Sequence, residues 1–168
     1  ARYLPLAIGI DENGELRIHI DGAHAAHVGA KGHSGLLAAL GLGAMINASK
    51  KLGINTTSST EAEVVPAGER LPKCAWLRHL RAEQGEDAKE DVLLQDSKSA
   101  ILLQKSYPCS AGKGSQRIHV RYCFAARKAK SKELRIAHCP AGKLVAGYSS
   151  KPLQGVLLAT RRNALLGI

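Results

Sequence analysis

The sequence predicts an α/β fold with a partly parallel sheet, and two patterns carry that expectation. Strand-like runs come first, between residues 16 and 48, and from Ser58 onward helical and strand-like segments alternate. A block of neighbouring strands suits antiparallel pairing, whereas strand, helix, strand successions bring strands in parallel through crossovers. With 168 residues the chain is expected to form one domain, long enough to bury a core without disulfides or a structural metal. Aromatic residues are only 4% of the chain while hydrophobic residues are 45%, so aliphatic side chains must fill the core and base-stacking platforms are scarce.

Residues 1–15 mix apolar residues with a polar turn at Asp11-Glu12-Asn13-Gly14 and read as a linker or opening hairpin, leaving 16–168 as the domain proper. From Leu16 to Asp21, Leu16, Ile18 and Ile20 alternate with Arg17, His19 and Asp21, so a strand would turn Asp21 away from the aliphatic face. A polar Gly/His stretch to His33 leads into two apolar runs, 35–40 and 44–48, and three antiparallel strands result. Ser58-Ser59-Thr60 is a helix start, with Glu61 and Glu63 where the helix dipole favours acids. Val64, Ala67, Leu71 and Ala75 recur at helical spacing, and Trp76, Leu77 and Leu80 extend that apolar side to Gln84-Gly85. Pro66 sits inside this segment at a cost of about 3 kcal/mol, with Gly68 adding about 1, so a kinked or shortened helix is expected. A short buried strand at 92–95 follows, then a helix capped by Asp96-Ser97 and running to about Lys105. The Gly, Lys and Ser-rich stretch 110–116 reads as a mobile loop, ahead of a basic helix at 118–130 and a strand at 134–139. Pro152 is placed to open a last helix ending near Leu166.

A formal charge of +10 and a pI near 9.7 set up a field that attracts polyanions, and nucleic acid is the leading partner class. Cys74, Cys109, Cys123 and Cys139 form no CxxC pair, which argues against a zinc ribbon or redox motif and suits reduced thiols. His24, His27 and His33 lack a fourth ligand at convincing spacing for zinc. No apolar run approaches the roughly 20 residues that cross a bilayer, and the start lacks the plan of a signal peptide. An intracellular, non-secreted protein with no membrane partner is expected.

Three acids fall where elements end or begin: Asp21 after the first strand, Glu63 in the first long helix and Asp96 after the fourth strand. Phosphodiester hydrolysis by two divalent ions about 4 Å apart needs such a carboxylate cluster, because hard cations prefer carboxylate oxygens. Spacing alone favours plainer roles, with Asp96 as a helix cap, Glu63 as a dipole partner and Asp21 as a turn residue.

Resemblance adds to this reading. Ile18-His19-Ile20-Asp21-Gly22-Ala23, Ser58-Ser59-Thr60-Glu61-Ala62-Glu63, Gln95-Asp96-Ser97-Lys98-Ser99-Ala100 and Ser150-Lys151-Pro152-Leu153-Gln154-Gly155 resemble, in order and spacing, the motifs of the ribonuclease H domain that ends copia-type (LTR) retrotransposon polyproteins. The likeness runs from about residue 16 to the end of the chain. It implies a ribonuclease H-like fold, a five-stranded mixed sheet (three antiparallel strands, then two parallel) with flanking helices. It also implies magnesium-dependent endonuclease activity, a hydrolase cutting the RNA strand of RNA/DNA hybrids. By the same resemblance Asp21, Glu63 and Asp96 match three of four catalytic, metal-binding acids, with Glu63 fitting better than Glu61. The fourth acid is missing: relatives place an Ala-Asp pair where this chain reads Ala146-Gly147. Relatives also have His-Ile-Asp where this chain has Arg117-Ile118-His119, and an unbroken helix at Pro66. A two-ion site for Mg2+ or Mn2+ is therefore expected to be incomplete at Gly147, and the activity weak or absent.

Positive charge concentrates between the fourth and fifth strands, where Lys113, Arg117, Arg121, Arg127 and Lys128 are the candidates for nucleic-acid backbone contacts, against the plainer reading of a solvated helix face. The expected partners are an RNA/DNA hybrid and, through the resemblance, a reverse transcriptase domain of the same polyprotein, in the cytoplasm, nucleus or a virus-like particle. The rival reading is a non-catalytic nucleic-acid-binding or scaffold module; a third is a decayed copy with no selected function.

Overall fold

A computed structural model describes residues 5–12, 14–86, 89–106 and 116–168, with 116–122 described by backbone alone. Strands β1 (Arg17–His27), β2 (Lys31–Ala39) and β3 (Ile46–Asn55) form an antiparallel meander, and helix α1 (Ser59–Glu83) then crosses to β4 (Asp91–Gln95). Helices α2 (Lys98–Ser106) and α3 (Gln116–Lys130) lead to β5 (Leu134–His138), followed by the short α4 (Gly147–Ser150) and α5 (Gly155–Leu166). The sheet order is β3-β2-β1-β4-β5, with β4 parallel to β1 and β5 parallel to β4. This is the five-stranded mixed sheet with flanking helices that the sequence led us to expect. The expected mobile loop at 110–116 lies, save for Gln116, outside the described residues.

The alternation in β1 does the work its period promises. Leu16, Ile18 and Ile20 are buried on the face that meets Ala67, Leu71, Cys74 and Leu77 of α1, and Leu93, Leu134 and Ile136 continue the same cluster. Each buried aliphatic side chain contributes about 1.5–3 kcal/mol relative to exposure. The α1 stripe is narrower than the sequence suggested: Leu77 is buried, whereas Trp76 is 63% exposed and Leu80 39%. At about 100° per residue, Trp76 falls a quarter-turn off the stripe.

Helix α1 is also longer than expected. It continues through both Pro66 and Pro72 for 25 residues, so no shortening occurs. Pro66 is buried within the packed face, and that packing offsets the lost helical hydrogen bond. The carbonyl that Pro66 leaves without a helical donor is that of Ala62, four residues back, and it lies against Gly22 of β1. A Cβ at position 22 would overlap that oxygen, so only glycine lets the first turns of α1 approach the strand.

Three further features are local. The Gly/His stretch expected as a loop is paired, with Gly22 opposite Ser34, Ala23 opposite His33 and His27 opposite Lys31. Its period signal is lost because His24, Ala25 and Ala26 are exposed and a bulge with Ala25 at φ 49° interrupts the register. Residues 7–11 are held by backbone bonds: the amides of Ala7, Gly9 and Asp11 donate to the carbonyls of Leu166, Leu42 and Leu40 at 2.8, 3.0 and 2.9 Å. Helix α5 starts at Gly155 and not at Pro152: the extended residue that caps it is Gln154 (φ −136°, ψ 163°) and not Lys151. Among the described residues no helix is long and apolar enough to cross a membrane.

The close approach at Gly22 predicts a sharp contrast between two glycines. Gly22→Ala should lower stability by about 2–3 kcal/mol through forced displacement of α1. Gly53→Ala, where a Cβ meets nothing within 4 Å, should be nearly neutral. Urea unfolding midpoints of the two variants check this, and equal midpoints would refute the close-approach argument.

Candidate metal centre

Two of the three acids are brought together by strand register. Parallel pairing sets Arg17, Ile18 and His19 of β1 against Val92, Leu93 and Leu94 of β4. Continued by two residues, the same register puts Asp96 level with Asp21, and side chains level across a sheet share one face. Strand β4 ends at Gln95, so Asp96 stands at the carboxyl end of a parallel strand, where α/β sheets gather their site residues. The cap of α2 is Ser97, whose hydroxyl accepts the Ala100 amide at 3.2 Å, so Asp96 is not needed as the cap.

The third acid comes from the first turns of α1, where the two glutamates divide the work. Ser58 caps the helix by accepting the Glu61 amide at 3.1 Å, and the Glu61 carboxylate reaches back to the amide and hydroxyl of Thr57 at 2.5 and 2.7 Å. This is a capping box with the return bond shifted by one residue, and it uses up Glu61. Glu63 is left to face the sheet, where its Oε2 accepts the Gly22 amide at 3.1 Å. The buried Gln95 side chain donates to the Glu63 carbonyl at 3.1 Å and ties the end of β4 to the same turn. One carboxylate oxygen from each of Asp21, Glu63 and Asp96 lies within 4.8 Å of the others.

The fourth side of this pocket is formed by α4. Asp21 pairs with Gly35 across the hairpin, and a Cβ on Gly35 would strike the Ala146 carbonyl, so glycine there lets α4 settle directly over the Asp21 pair. Gly147 consequently faces the acids: a Cβ built on it would stand 3.8 Å from Oδ2 of Asp21. Asp21 itself is fully buried. Its Oδ2 accepts the Ser150 hydroxyl, and the Lys151 ammonium lies 3.1 Å from Oδ2 and 3.4 Å from Oδ1.

The other sequence candidates are placed elsewhere or cannot be placed. Lys113 is outside the described residues, and Arg117 and Arg121 lie on α3 with their side chains outside them. Arg127 is exposed on α3, while Lys128 is bound to Glu133 at 2.5 Å, beside the amino-terminal ends of β4 and β5 and away from Asp96. The three histidines do not converge: His27 and His33 share a hydrogen bond of 2.8 Å, and His24 bonds Thr56 at 3.0 Å. Sequence reasoning gave no role to Gly22, Gln95, Ser150 or Lys151. Ser150 and Lys151 stand in a quoted motif, yet only the placement of α4 shows what they touch.

The cluster is electrostatically unfavourable without a counter-charge. Burial, then Asp21 and then Asp96, push the Glu63 carboxyl from 4.5 up to about 8, against the opposing Gly22 amide and Lys151. Between 4.5 and 8 the folded protein therefore keeps a proton that the unfolded chain releases, and stability falls as pH rises through that window. His19, lowered by burial and by Arg17 and Arg161 to about 4, acts with the opposite sign below 6.5, and Asp91, raised by burial to about 6, acts below the upper part of the window. Among the described residues with a resolved shift, the interval from 6.5 to 8 belongs to Glu63. In metal-free buffer the thermal midpoint should drop across it, and Glu63→Gln should flatten that drop; an unchanged slope in the variant would refute the assignment.

No family model and no curated protein matches the sequence. Among solved structures, the N-terminal RNase H domain of Rv2228c from Mycobacterium tuberculosis is similar, with a TM-score of 0.51 at 13% identity over 89% of this chain and 96% of that one. LC11-RNase H1 from compost aligns with a TM-score of 0.49 at 17% identity over 76% of this chain and 86% of its own. A second structure of LC11-RNase H1, in complex with an RNA/DNA hybrid, gives 0.47 at the same identity and coverages. Sheet order, strand directions and flanking helices together make this an RNase H-like fold.

Proposed function

We propose that this chain is an RNase H-type domain of a copia-type retroelement polyprotein, descended from a magnesium-dependent endoribonuclease that cuts the RNA strand of RNA/DNA hybrids, and that its cleavage is weakened by Gly147. The observation that carries this reading is the convergence of Asp21, Glu63 and Asp96 within 4.8 Å on an RNase H-like fold, with Gly147 facing them where a fourth acid would stand. The ordered motifs carry the retroelement origin.

The residues fit a hard divalent cation, since three carboxylates offer only oxygen donors and one of them, Glu63, is driven to hold a proton by its burial and by the two acids beside it. Asp21, Glu63 and Asp96 would hold it, and bound magnesium or manganese supplies the Lewis acidity that activates water and steadies the leaving oxygen. The Gly22 amide fixes the direction of Glu63, and Ser150 and Lys151 fix that of Asp21. Gly147 contributes no side chain, so one edge of the pocket has no group to orient the nucleophile.

Cleavage of a labelled RNA/DNA hybrid in magnesium tests the reading. The natural sequence should turn over about two to four orders of magnitude more slowly than Gly147→Asp, on the scale where about 1.4 kcal/mol is tenfold. The substitution needs no strained backbone, because the position is not in the left-handed region and a Cβ there makes only an ordinary contact. Equal rates for the two proteins would sink the claim of impairment. Hybrid binding with no cleavage by either would favour the non-catalytic binding module instead.

Charge should show in binding. With a formal +10, hybrid affinity should fall steeply between 50 and 200 mM salt, by about tenfold or more. Arg127→Ala should weaken it uniformly across sequences and reduce the salt slope by about one. Fluorescence anisotropy at several salt concentrations measures both, and a salt-independent affinity would rule out backbone contacts as the main source of binding.

A further inference from the structure

Lys151 brings a charge to the acid pocket as well as orienting Asp21. Its ammonium lies within 3.4 Å of both oxygens of Asp21, the bridging place a cation takes on a carboxylate. Ser150 donates its hydroxyl to Oδ2, so Asp21 already has both a hydrogen-bond donor and a counter-charge. With Glu63 ionised, as it must be to hold a cation, three carboxylates and this ammonium leave two negative charges, the amount that one divalent ion neutralises.

We propose that Lys151 serves the acid pocket as a built-in cation that competes with metal for Asp21, so that the free domain takes up a single divalent ion. The proposal rests on the metal-centre reading and adds its stoichiometry. A second ion would have to expel the ammonium and would still face only three carboxylates, because Gly147 brings none. Expulsion is mechanically open: the Lys151 side chain is 49% exposed and Asp21 is fully buried, so the lysine and not the aspartate is the partner that can swing away. The backbone of α4, seated over Gly35, delivers both Ser150 and Lys151 to Asp21, so the block is part of the fold and not a chance surface contact.

Manganese titration read by the electron paramagnetic resonance of free Mn2+, alongside metal-free thermal melts, tests this on the folded domain. The natural chain should bind one ion. Lys151→Gln should bind Mn2+ about tenfold more tightly or take up a second ion, while its metal-free midpoint falls because Asp21 loses its counter-charge. Lys151→Arg should keep the natural stoichiometry and affinity. Two ions of similar affinity in the natural chain, or a folded Lys151→Gln with unchanged binding, would overturn the proposal and leave the metal centre standing. Asp21→Asn separates the two readings: if it binds Mn2+ as well as the natural chain does, the metal centre itself is lost.

Discussion

The parallel register between β1 and β4 is the constraint on which the site depends. It sets Asp96 level with Asp21 and, because β4 ends there, leaves both carboxylates at the edge of the parallel part of the sheet. The register is itself held by the aliphatic face. A slip of one residue would turn Ile18 and Leu93 out of the cluster they share with α1, so burial of the core and assembly of the acids are one choice and not two.

Close backbone contacts then bring in the remaining elements. Gly22 admits the first turns of α1, and its amide holds Glu63; Gly35 admits α4, which carries Gly147, Ser150 and Lys151 to Asp21. Without a side chain at either glycine, two helical segments reach the same strand pair from different sides. Helix α1 even tolerates a buried proline at 66, because its hold on the sheet comes from the stripe Ala67, Leu71, Cys74 and Leu77 and not from an unbroken hydrogen-bond ladder.

The pocket so assembled stores electrostatic stress. Burial first, and then the Asp21 and Asp96 carboxylates beside it, raise the affinity of Glu63 for a proton, and the protein answers with one lysine, one serine and one amide. These contacts offset part of the repulsion among the acids.

Much of this was legible in the chain itself. Alternation at 16–21 marked the start of β1 and the orientation of Asp21, the Ser58 cap marked the start of α1, and the resemblance of the quoted motifs to a known family singled out Asp21, Glu63, Asp96 and Gly147, since these signals are local or follow sequence order. The extent of the β1–β2 hairpin, the uninterrupted course of α1 past Pro66, the exposure of Trp76 and the duties of Ser150 and Lys151 were decided only by tertiary structure. Each depends on which surfaces meet once the chain has folded, from the two strands of the hairpin to Lys151 and Asp21, 130 residues apart, and such meetings leave no periodic trace in the sequence.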